Sequence, residues 1–558
     1  MLLLFSSLLT AVLTFSAASG HAVDSNPNNL DSQHTKGRVA PSKCVHENVY
    51  DDLKHGLTLS SHNRAQVAFA DTSNSESEDF AGVPIPPLEV IPLGVSGPSS
   101  NRVDLVFFAD GYLEEERDKF YEDATRLADD ISGNQTFNTV KPLMNFWAAF
   151  TASNESGVGV GGKPLDTPFG LYRDGTELRA VFYAHPKVAG AACKSLGNQC
   201  DYPILLGNDP LYGGLGGKFT VITPSLANGA LILRHELGHS IIKVGEEYDG
   251  GYAYVGVDAH KNLSEPVPWA HWLTNSSDHS TKDEVRVERA VMPMQEYPWT
   301  LLNTSAPWAV DFQSSGSYTR HLVRFSLSGM PAAADLKVEL DGEDLQWAPR
   351  VNIGKDRWHY DVYQDGGLPA GNHRLSFTLL EEKRVGEAQV CSAEVLEFGD
   401  EDEFVSTPGH YSLYPTFSFT NETSYRPTNE DCLMRQVTTP NFCKACIEGL
   451  WLALLRDVNL IDGIEETCIE SSAKSALTLH LVPLAQFRTF AVSGLDESYR
   501  VTWSKDGVEV PELVNQTQVE VGEGVYGVEV QYKTSEVRVD KEGLLGAKGK
   551  YVVGAKCK

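Results

Sequence analysis

Positive charge is scarce in this chain of 558 residues. Lys and Arg number 46 against 75 Asp and Glu, and the formal net charge is −29. A chain this acidic repels a phosphate backbone, which argues against nucleic acid as a partner. Long apolar runs are also missing after the first 22 residues, so we expect no stable association with a membrane.

The N-terminal stretch MLLLFSSLLTAVLTFSAASGHA has no Lys or Arg before its apolar run. It ends in small residues, and it predicts a secretory signal peptide at 1–22 and a secreted, extracellular protein. A membrane anchor is the alternative, but Ser and Thr interrupt the run. Seven Asn-x-Ser/Thr sites fit a secreted glycoprotein: Asn134, Asn154, Asn262, Asn275, Asn303, Asn421 and Asn515.

The nine cysteines fit an oxidising compartment. Cys193 and Cys200 bracket a short loop and are predicted to form a disulfide. Cys443 and Cys446 form a CxxC close to Cys432, a pattern that redox chemistry or a second zinc site would also produce. Structural disulfides, within this group or with Cys468, are the interpretation that we favour for a secreted protein.

The motif His235-Glu236-Leu237-Gly238-His239 is the most informative feature of the chain. It lies in an apolar segment, 227–244, whose period predicts one buried helix. Residues four apart share a helix face, so both imidazoles can reach one metal ion, and Glu236 can hold a water bound to it. The alternative is a helix that carries two histidines by chance, but buried polar groups need partners, and zinc would be one.

Patterns along the chain predict six regions. They are the signal peptide at 1–22, a polar pro-segment or disordered region at 23–90, an α/β catalytic core at 91–316, an inserted antiparallel β-sandwich at 317–400, a second part of the core at 401–472, and a C-terminal Ig-like β-sandwich at 473–558. The glycine run at 212–217 lacks the Lys-Ser/Thr of a phosphate loop. Within the pro-segment, a Cys44 thiolate could cap the zinc, although a disulfide is favoured.

Several segments together resemble one family. They are Val103 to Tyr112 (VDLVFFADGY), Asn154 to Val158 (NESGV), Tyr212 to Gly217 (YGGLGG), His235 to Asp249 (HELGHSIIKVGEEYD), and Asp431 to Arg435 with Phe442, Cys443 and Cys446. In this combination the chain resembles the IgA peptidase family of zinc metallopeptidases, known from bacteria and with secreted fungal relatives. The resemblance implies a zincin-like, metzincin-like core that binds one catalytic Zn²⁺.

The resemblance places Glu246 and Glu247 on the family's Asp-Glu pair. A continued helix would carry Glu246 about 10 Å beyond His239, so the chain must turn to bring a third ligand back. We expect Glu247 to be that ligand, with Glu246 as the alternative. Ile242 and Lys243 stand where the family often has glycine, which favours a slightly longer helix.

Met434 is predicted by the same resemblance to form an apolar floor under the zinc site, with Met292 and Met294 as rivals. The function that follows is hydrolysis of a polypeptide substrate by a metal-activated water, with Glu236 as general base. The alternative is a catalytically weak metallopeptidase-like protein that binds partners through its β-sandwiches. Loss of Glu236 would have indicated that alternative, and Glu236 is present.

Overall fold

The computed structural model describes residues 80, 82–133, 136–274, 285–469, 472 and 474–554. The predicted signal peptide, nearly all of the predicted pro-segment, Cys44, Asn134 and Asn275 lie outside these residues. Among the described residues, no helix has the length and apolar character needed to cross a bilayer.

The first part of the described chain builds a six-stranded mixed sheet. In chain order the elements of this part are β1 (Glu89–Gly94), β2 (Val103–Asp110), α1 (Arg117–Gly133), β3 (Met144–Phe150), β4 (Leu171–Tyr172), β5 (Phe182–Tyr183), α2 (Pro186–Ser195), β6 (Tyr202–Gly207), β7 (Gly214–Leu215), β8 (Thr220–Ile222) and α3 (Gly229–Leu237). The strand order in the sheet is β1-β3-β2-β6-β8-β7. Strands β2, β3, β6 and β8 run parallel to one another, and the edge strands β1 and β7 are antiparallel to their neighbours.

Strand β2 is buried along its whole length because both faces of this sheet are covered. Leu105 and Phe107 point into the larger core, which they share with α1 and α3. Val106 and Phe108 point into a second core on the opposite face, which includes α2. The fold thereby holds α3, which carries His235, against one face of the sheet.

Residues 290–398 form two further antiparallel sheets. Their strands are β9 (Ala290–Glu296), β10 (Thr300–Leu301), β11 (Trp308–Ser314), β12 (Arg320–Ser328), β13 (Leu336–Leu340), β14 (Glu343–Asp344), β15 (Trp358–Gln364), β16 (Gly371–Leu379) and β17 (Gln389–Phe398). One sheet has the order β10-β17-β12-β15 with β9 also paired to β17, and the other has the order β11-β16-β13-β14. Strands β9 to β11 precede residue 317, the predicted start of the β-sandwich, yet they pair with β16 and β17.

The remaining described residues begin with a hairpin and a helix, followed by two antiparallel sheets with the orders β20-β21-β24 and β23-β22-β25-β26. The bounds are β18 (Tyr414–Phe417), β19 (Thr423–Arg426), α4 (Lys444–Asp457), β20 (Ile461–Cys468), β21 (Ser475–Leu481), β22 (Glu497–Lys505), β23 (Val508–Glu509), β24 (Gln518–Val521), β25 (Gly524–Thr534) and β26 (Gly546–Val553).

The described fold is therefore mostly β-sheet, with few helices. Within the region predicted to be α/β, 91–316, the described residues form helices α1 to α3 and the six-stranded mixed sheet. The division into domains remains a prediction.

Candidate metal centre

The two motif histidines lie on a helix that changes its winding between them. Helix α3 ends at Leu237, and a π-helical turn follows from Gly238 to Ile242. The helical winding begins at Gly229 and ends at Ile242, so the predicted continuous helix over 227–244 is wrong at both ends. His235 and His239 are nevertheless buried side by side, with their Nε2 atoms 3.2 Å apart.

The chain reverses directly after this turn. Lys243 adopts a left-handed conformation with φ 64°, which ends the helical winding instead of extending it. The Gly245 N–H then donates to Val255 O at 2.6 Å, and the Glu246 N–H donates to Ala253 O at 2.8 Å. A β-carbon on Gly245 would lie 2.4 Å from Ala253 O, so this close backbone approach requires glycine.

The reversal brings Glu246, not the preferred Glu247, to the histidines. The Glu246 carboxylate lies 3.2 Å from His239 Nε2 and 3.3 Å from His235 Nε2. Glu247 faces the other way, toward Cys446. Asp249 forms a buried salt bridge with Arg435 instead. Three potential ligand atoms therefore converge on one point, and the glutamate among them was the sequence-based alternative.

The hydrogen bonds of the two Nδ1 atoms orient both imidazoles so that their Nε2 atoms face Glu246. Nδ1 of His235 lies 3.2 Å from Leu433 O, and Nδ1 of His239 lies 2.9 Å from Val244 O. A carbonyl oxygen only accepts, so each Nδ1 carries a proton, an arrangement common around zinc. Tetrahedral zinc with ligands at about 2.0–2.1 Å would set neighbouring ligand atoms about 3.3 Å apart. The three residues fit a zinc ion.

Electrostatics link the same three residues. Burial lowers the pKa of His239, but the Glu246 carboxylate more than reverses this effect and raises it to about 9. Burial alone would raise the pKa of Glu246, yet His239 and His235 bring it well below its usual range. Without a metal the cluster is thus an ion pair with a proton on His239, and a metal ion must displace that proton.

Glu236 projects from the same helix into a cleft lined by the glycine run. A β-carbon on Gly216 would lie 2.6 Å from Glu236 Oε2, and one on Gly214 would lie 3.2 Å from Oε1. Burial raises the pKa of the Glu236 carboxyl, although His235 and His239 lower it in part. A carboxylate with a raised pKa beside a potential metal site is suited to accept and return a proton.

Met434 lies behind the histidine helix. A β-carbon on Gly238 would lie 2.9 Å from Met434 Sδ, and the Glu247 N–H donates to Met434 O at 3.0 Å. Leu433, the preceding residue, supplies the carbonyl that orients His235. Met292 and Met294, the alternatives to Met434, belong to strand β9 and pack in other apolar clusters. The role of Met434 as a floor of the site remains a prediction.

The cleft in front of the cluster is a cavity of about 250 Å³. Its wall includes residues that sequence reasoning missed. Tyr248 forms a hydrogen bond with Glu246, and its ring stacks on His235 with 6.3 Å between centroids. Its only signal in the sequence is its position directly after the glutamate pair. Side chains from β12, β15 and β17 also line the cavity, among them Arg324, His359 and Glu394.

The cysteines follow the predictions only in part. Cys193 and Cys200 form the predicted disulfide, and Cys468 is also disulfide-bonded. The predicted disulfides of Cys432, Cys443 and Cys446 are wrong, because all three are buried free thiols. Their sulfur atoms surround the Glu247 carboxylate instead. The signal that could have identified this group is the CxxC spacing, which the alternative of a second zinc site had used.

Comparison with known proteins gives one informative match. Residues 91–302 match the family model described as IgA Peptidase M64. No curated protein sequence matches the chain.

Among solved structures, a family 35 carbohydrate-binding module from Clostridium thermocellum aligns with 19% of this chain and 90% of its own, at 11% identity and a TM-score of 0.14. An exo-beta-1,3-galactanase from Phanerochaete chrysosporium aligns with 19% of this chain and 29% of its own, at 13% identity and a TM-score of 0.13. These scores are too low to carry an argument about fold or function.

Proposed function

Because residues 91–302 belong to the IgA peptidase M64 family, we propose that this protein is a secreted, zinc-dependent metalloendopeptidase. The proposal includes a zincin-like core, in which the HExxH helix packs on one face of the mixed sheet. It also includes the division into a signal peptide, a pro-segment, a two-part core and two β-sandwich domains. Its substrate is a polypeptide.

The observation that carries the proposal is the convergence of His235, His239 and Glu246. Their ligand atoms are 3.2–3.3 Å apart, and His235 and Glu246 line the 250 Å³ cavity. Three protein ligands beside an open space are the usual arrangement of a catalytic zinc, which keeps one position for water or substrate. A purely structural site would be closed on all sides.

Zinc bound by these residues would supply Lewis acidity, which polarises the scissile carbonyl and lowers the pKa of a water molecule. Glu236 is the general base: its carboxylate takes a proton from the attacking water. The protonated Glu236 then donates that proton to the nitrogen of the leaving amine, which returns the carboxylate to its starting state. The raised pKa of Glu236 favours this return of the proton.

Substrate binding is proposed to use the edge strand β7. This strand is the last in its sheet and consists of Gly214 and Leu215. An extended peptide can add to such an edge through backbone hydrogen bonds, independently of its side chains. Because Gly214 and Gly216 lie against Glu236, the added strand would carry its peptide bonds past the general base.

Side-chain preference is proposed to come from the sheets at 290–398. Arg324 and Glu394 of these sheets line the cavity, together with Arg357, which directly precedes β15. Arg324 is held by Asp361 and Glu430, and the Arg357 guanidinium lies 4.7 Å from the ring centroid of Trp299. These charged groups are therefore fixed in place before substrate arrives, which favours selective over indiscriminate binding.

Cleavage of unfolded casein by the purified full chain tests the proposal. We expect cleavage that 1,10-phenanthroline abolishes and that added zinc restores. The non-chelating isomer 1,7-phenanthroline is the matched control and should have no effect. A protein that holds zinc stoichiometrically and cleaves none of a panel of unfolded proteins would instead support the binding-protein alternative.

A further inference from the structure

A second cluster of metal-ligand side chains lies on the far side of the Glu246–Glu247 loop. It consists of Glu247, Cys432, Cys443 and Cys446, all at most 2% exposed. One ligand atom from each residue lies within 4.8 Å of every other. The proposed peptidase chemistry uses none of these four side chains.

The local structure directs the three sulfur atoms to one point. Cys443 is the N-cap of helix α4, and Cys446 lies in its first turn, so the CxxC brings both sulfurs to the helix N-terminus. The backbone N–H groups of Ala445 and Cys446 donate to the Cys443 sulfur. The Cys443 N–H donates to the Cys432 sulfur at 3.3 Å. Thiolates are favoured where backbone N–H groups and a helix N-terminus converge.

The spacing of the ligand atoms matches a metal ion and not a disulfide. Cys432 Sγ lies 3.9 Å from Cys446 Sγ, and Cys446 Sγ lies 3.8 Å from Glu247 Oε1. Tetrahedral zinc with sulfur ligands at about 2.3 Å would set the sulfurs about 3.8 Å apart. A disulfide would bring two of the sulfur atoms to about 2.05 Å from each other and would not account for the buried Glu247 carboxylate beside them.

Two buried carboxyl groups, those of Glu247 and Asp258, meet beside the cluster. Apart from the contact between these two groups and one with the Asp258 backbone, Glu247 Oε2 and both carboxylate oxygens of Asp258 have no hydrogen-bond partner within the described part of the chain. Glu247 and Asp258 are both 0% exposed. Leaving buried carboxylates uncompensated is costly, and a divalent cation at the centre of the cluster would offset that cost.

We propose that Glu247, Cys432, Cys443 and Cys446 bind a second zinc ion with a structural role. Three thiolates select zinc over hard cations such as magnesium or calcium. Four protein ligands complete a tetrahedron and leave no position for substrate, which is the arrangement of structural zinc sites. Each thiol gives up its proton as the ion binds.

This ion would support the first site through the backbone. The Glu247 N–H donates to Met434 O, and Leu433 O orients His235. The second ion would join Glu247 to Cys432 and thereby fix both the loop that carries Glu246 and the segment behind His235. Its existence does not depend on the proposed peptidase activity.

Metal content and X-ray absorption of the full chain test the proposal. The His235→Ala/His239→Ala double variant removes the first site, and we expect it to retain about one zinc per chain. Zinc absorption spectra of that variant should show about three sulfur neighbours near 2.3 Å. Wild type should hold about two zinc ions and show a mixture of sulfur with nitrogen or oxygen neighbours.

Cysteine variants give a second, independent reading. Cys446→Ser should lower the zinc content by about one ion, whereas Cys391→Ser, which changes a buried free thiol outside the cluster, should keep both ions. If Cys446→Ser fails to fold, wild type and the histidine variant decide alone. The proposal is overturned if their zinc shows no sulfur neighbours, or if non-reducing peptide mapping links any two of Cys432, Cys443 and Cys446.

Discussion

Glu246 and Glu247 are adjacent in sequence but belong to two different ligand clusters. Glu246 lies 3.2 Å from His239 Nε2 at the wall of an open cavity, and Glu247 lies 3.8 Å from Cys446 Sγ inside the core. In an extended segment, consecutive side chains point to opposite sides, so one loop can serve both clusters. The cluster of Glu246 has three protein ligands and an open side, as catalytic zinc sites do, whereas the cluster of Glu247 has four and is closed, as structural zinc sites are.

The largest effect on rate without loss of metal is expected at Glu236, which lies beside the open cluster but is not one of its ligands. Glu236→Gln keeps the size of the side chain and removes the base. We expect peptide hydrolysis to fall about 10²–10⁴-fold while the zinc content stays at the wild-type value. Rates on a fluorogenic peptide and zinc per chain check this. Full activity in the variant would exclude Glu236 as the base.

The two glutamates can be compared directly by the same substitution. Glu246→Gln should remove the first-site zinc together with activity, a larger effect than the roughly 10–100-fold weaker binding caused by losing a supporting hydrogen bond to a ligand. Glu247→Gln should keep the first-site zinc and lower the melting temperature. Zinc per chain, activity and thermal unfolding of both variants give the comparison. If Glu247→Gln loses the zinc of the histidine site and activity, while Glu246→Gln keeps both, the assignment of the two glutamates is reversed.

The sequence allowed His235, Glu236 and His239 to be predicted because their arrangement depends on local helical spacing alone. The third ligand depended on where the winding ends. Lys243 adopts φ 64° and reverses the chain there, and a shift of one residue exchanges Glu246 for Glu247. No local pattern indicates that a non-glycine residue will take this conformation.

The sheets and the cysteines show the same distinction between local and distant information. The sequence pattern predicted a β-sandwich at 317–400, but not that β9 to β11, which precede it, would pair with β16 and β17. The state of Cys432, Cys443 and Cys446 depends on Glu247, which lies 185 residues or more earlier in the chain. Spacing among the cysteines alone could not distinguish a disulfide from a metal site.

The glycine run should be sensitive to a single methyl group. In Gly216→Ala the added carbon would lie 2.6 Å from Glu236 Oε2 and 3.1 Å from His239 Cδ2, so the general base must move. Misplacing a reacting group by about 1 Å costs up to roughly 100-fold, and we expect a 10–100-fold lower rate. Gly133→Ala, with no atom within 4 Å of the new carbon, is the matched control. Wild-type activity in Gly216→Ala would show that the run does not contact the base.

Zinc binding at the open cluster should weaken as the pH falls. The pKa of His239 is raised to about 9 in the metal-free protein, so the histidine is protonated below that pH and zinc must displace the proton. The apparent zinc affinity should therefore fall about tenfold per pH unit below pH 9. Competition with a chelator of known affinity at pH 6, 7 and 8, with the Cys446→Ser variant, isolates this site. An affinity independent of pH would contradict the assigned protonation.

The smallest effect is expected at Lys243, the left-handed residue that ends the helical turn. A left-handed conformation costs a non-glycine residue about 1 kcal/mol, and glycine avoids that cost. Lys243→Gly should raise the free energy of unfolding by roughly 0.5–1 kcal/mol without changing zinc content. Thermal unfolding measures the difference. A lower stability in the variant would mean that the lysine side chain contributes more than the strain removes.

An anomalous difference map, recorded at the zinc absorption edge from crystals of the purified full chain, locates both metal ions at once. We expect a peak about 2.0–2.2 Å from His235 Nε2, His239 Nε2 and a Glu246 oxygen, open toward the cavity. We expect a second peak among Glu247, Cys432, Cys443 and Cys446. A single peak coordinated by Glu247 together with the two histidines, or no peak at the histidines, would contradict this assignment of ligands.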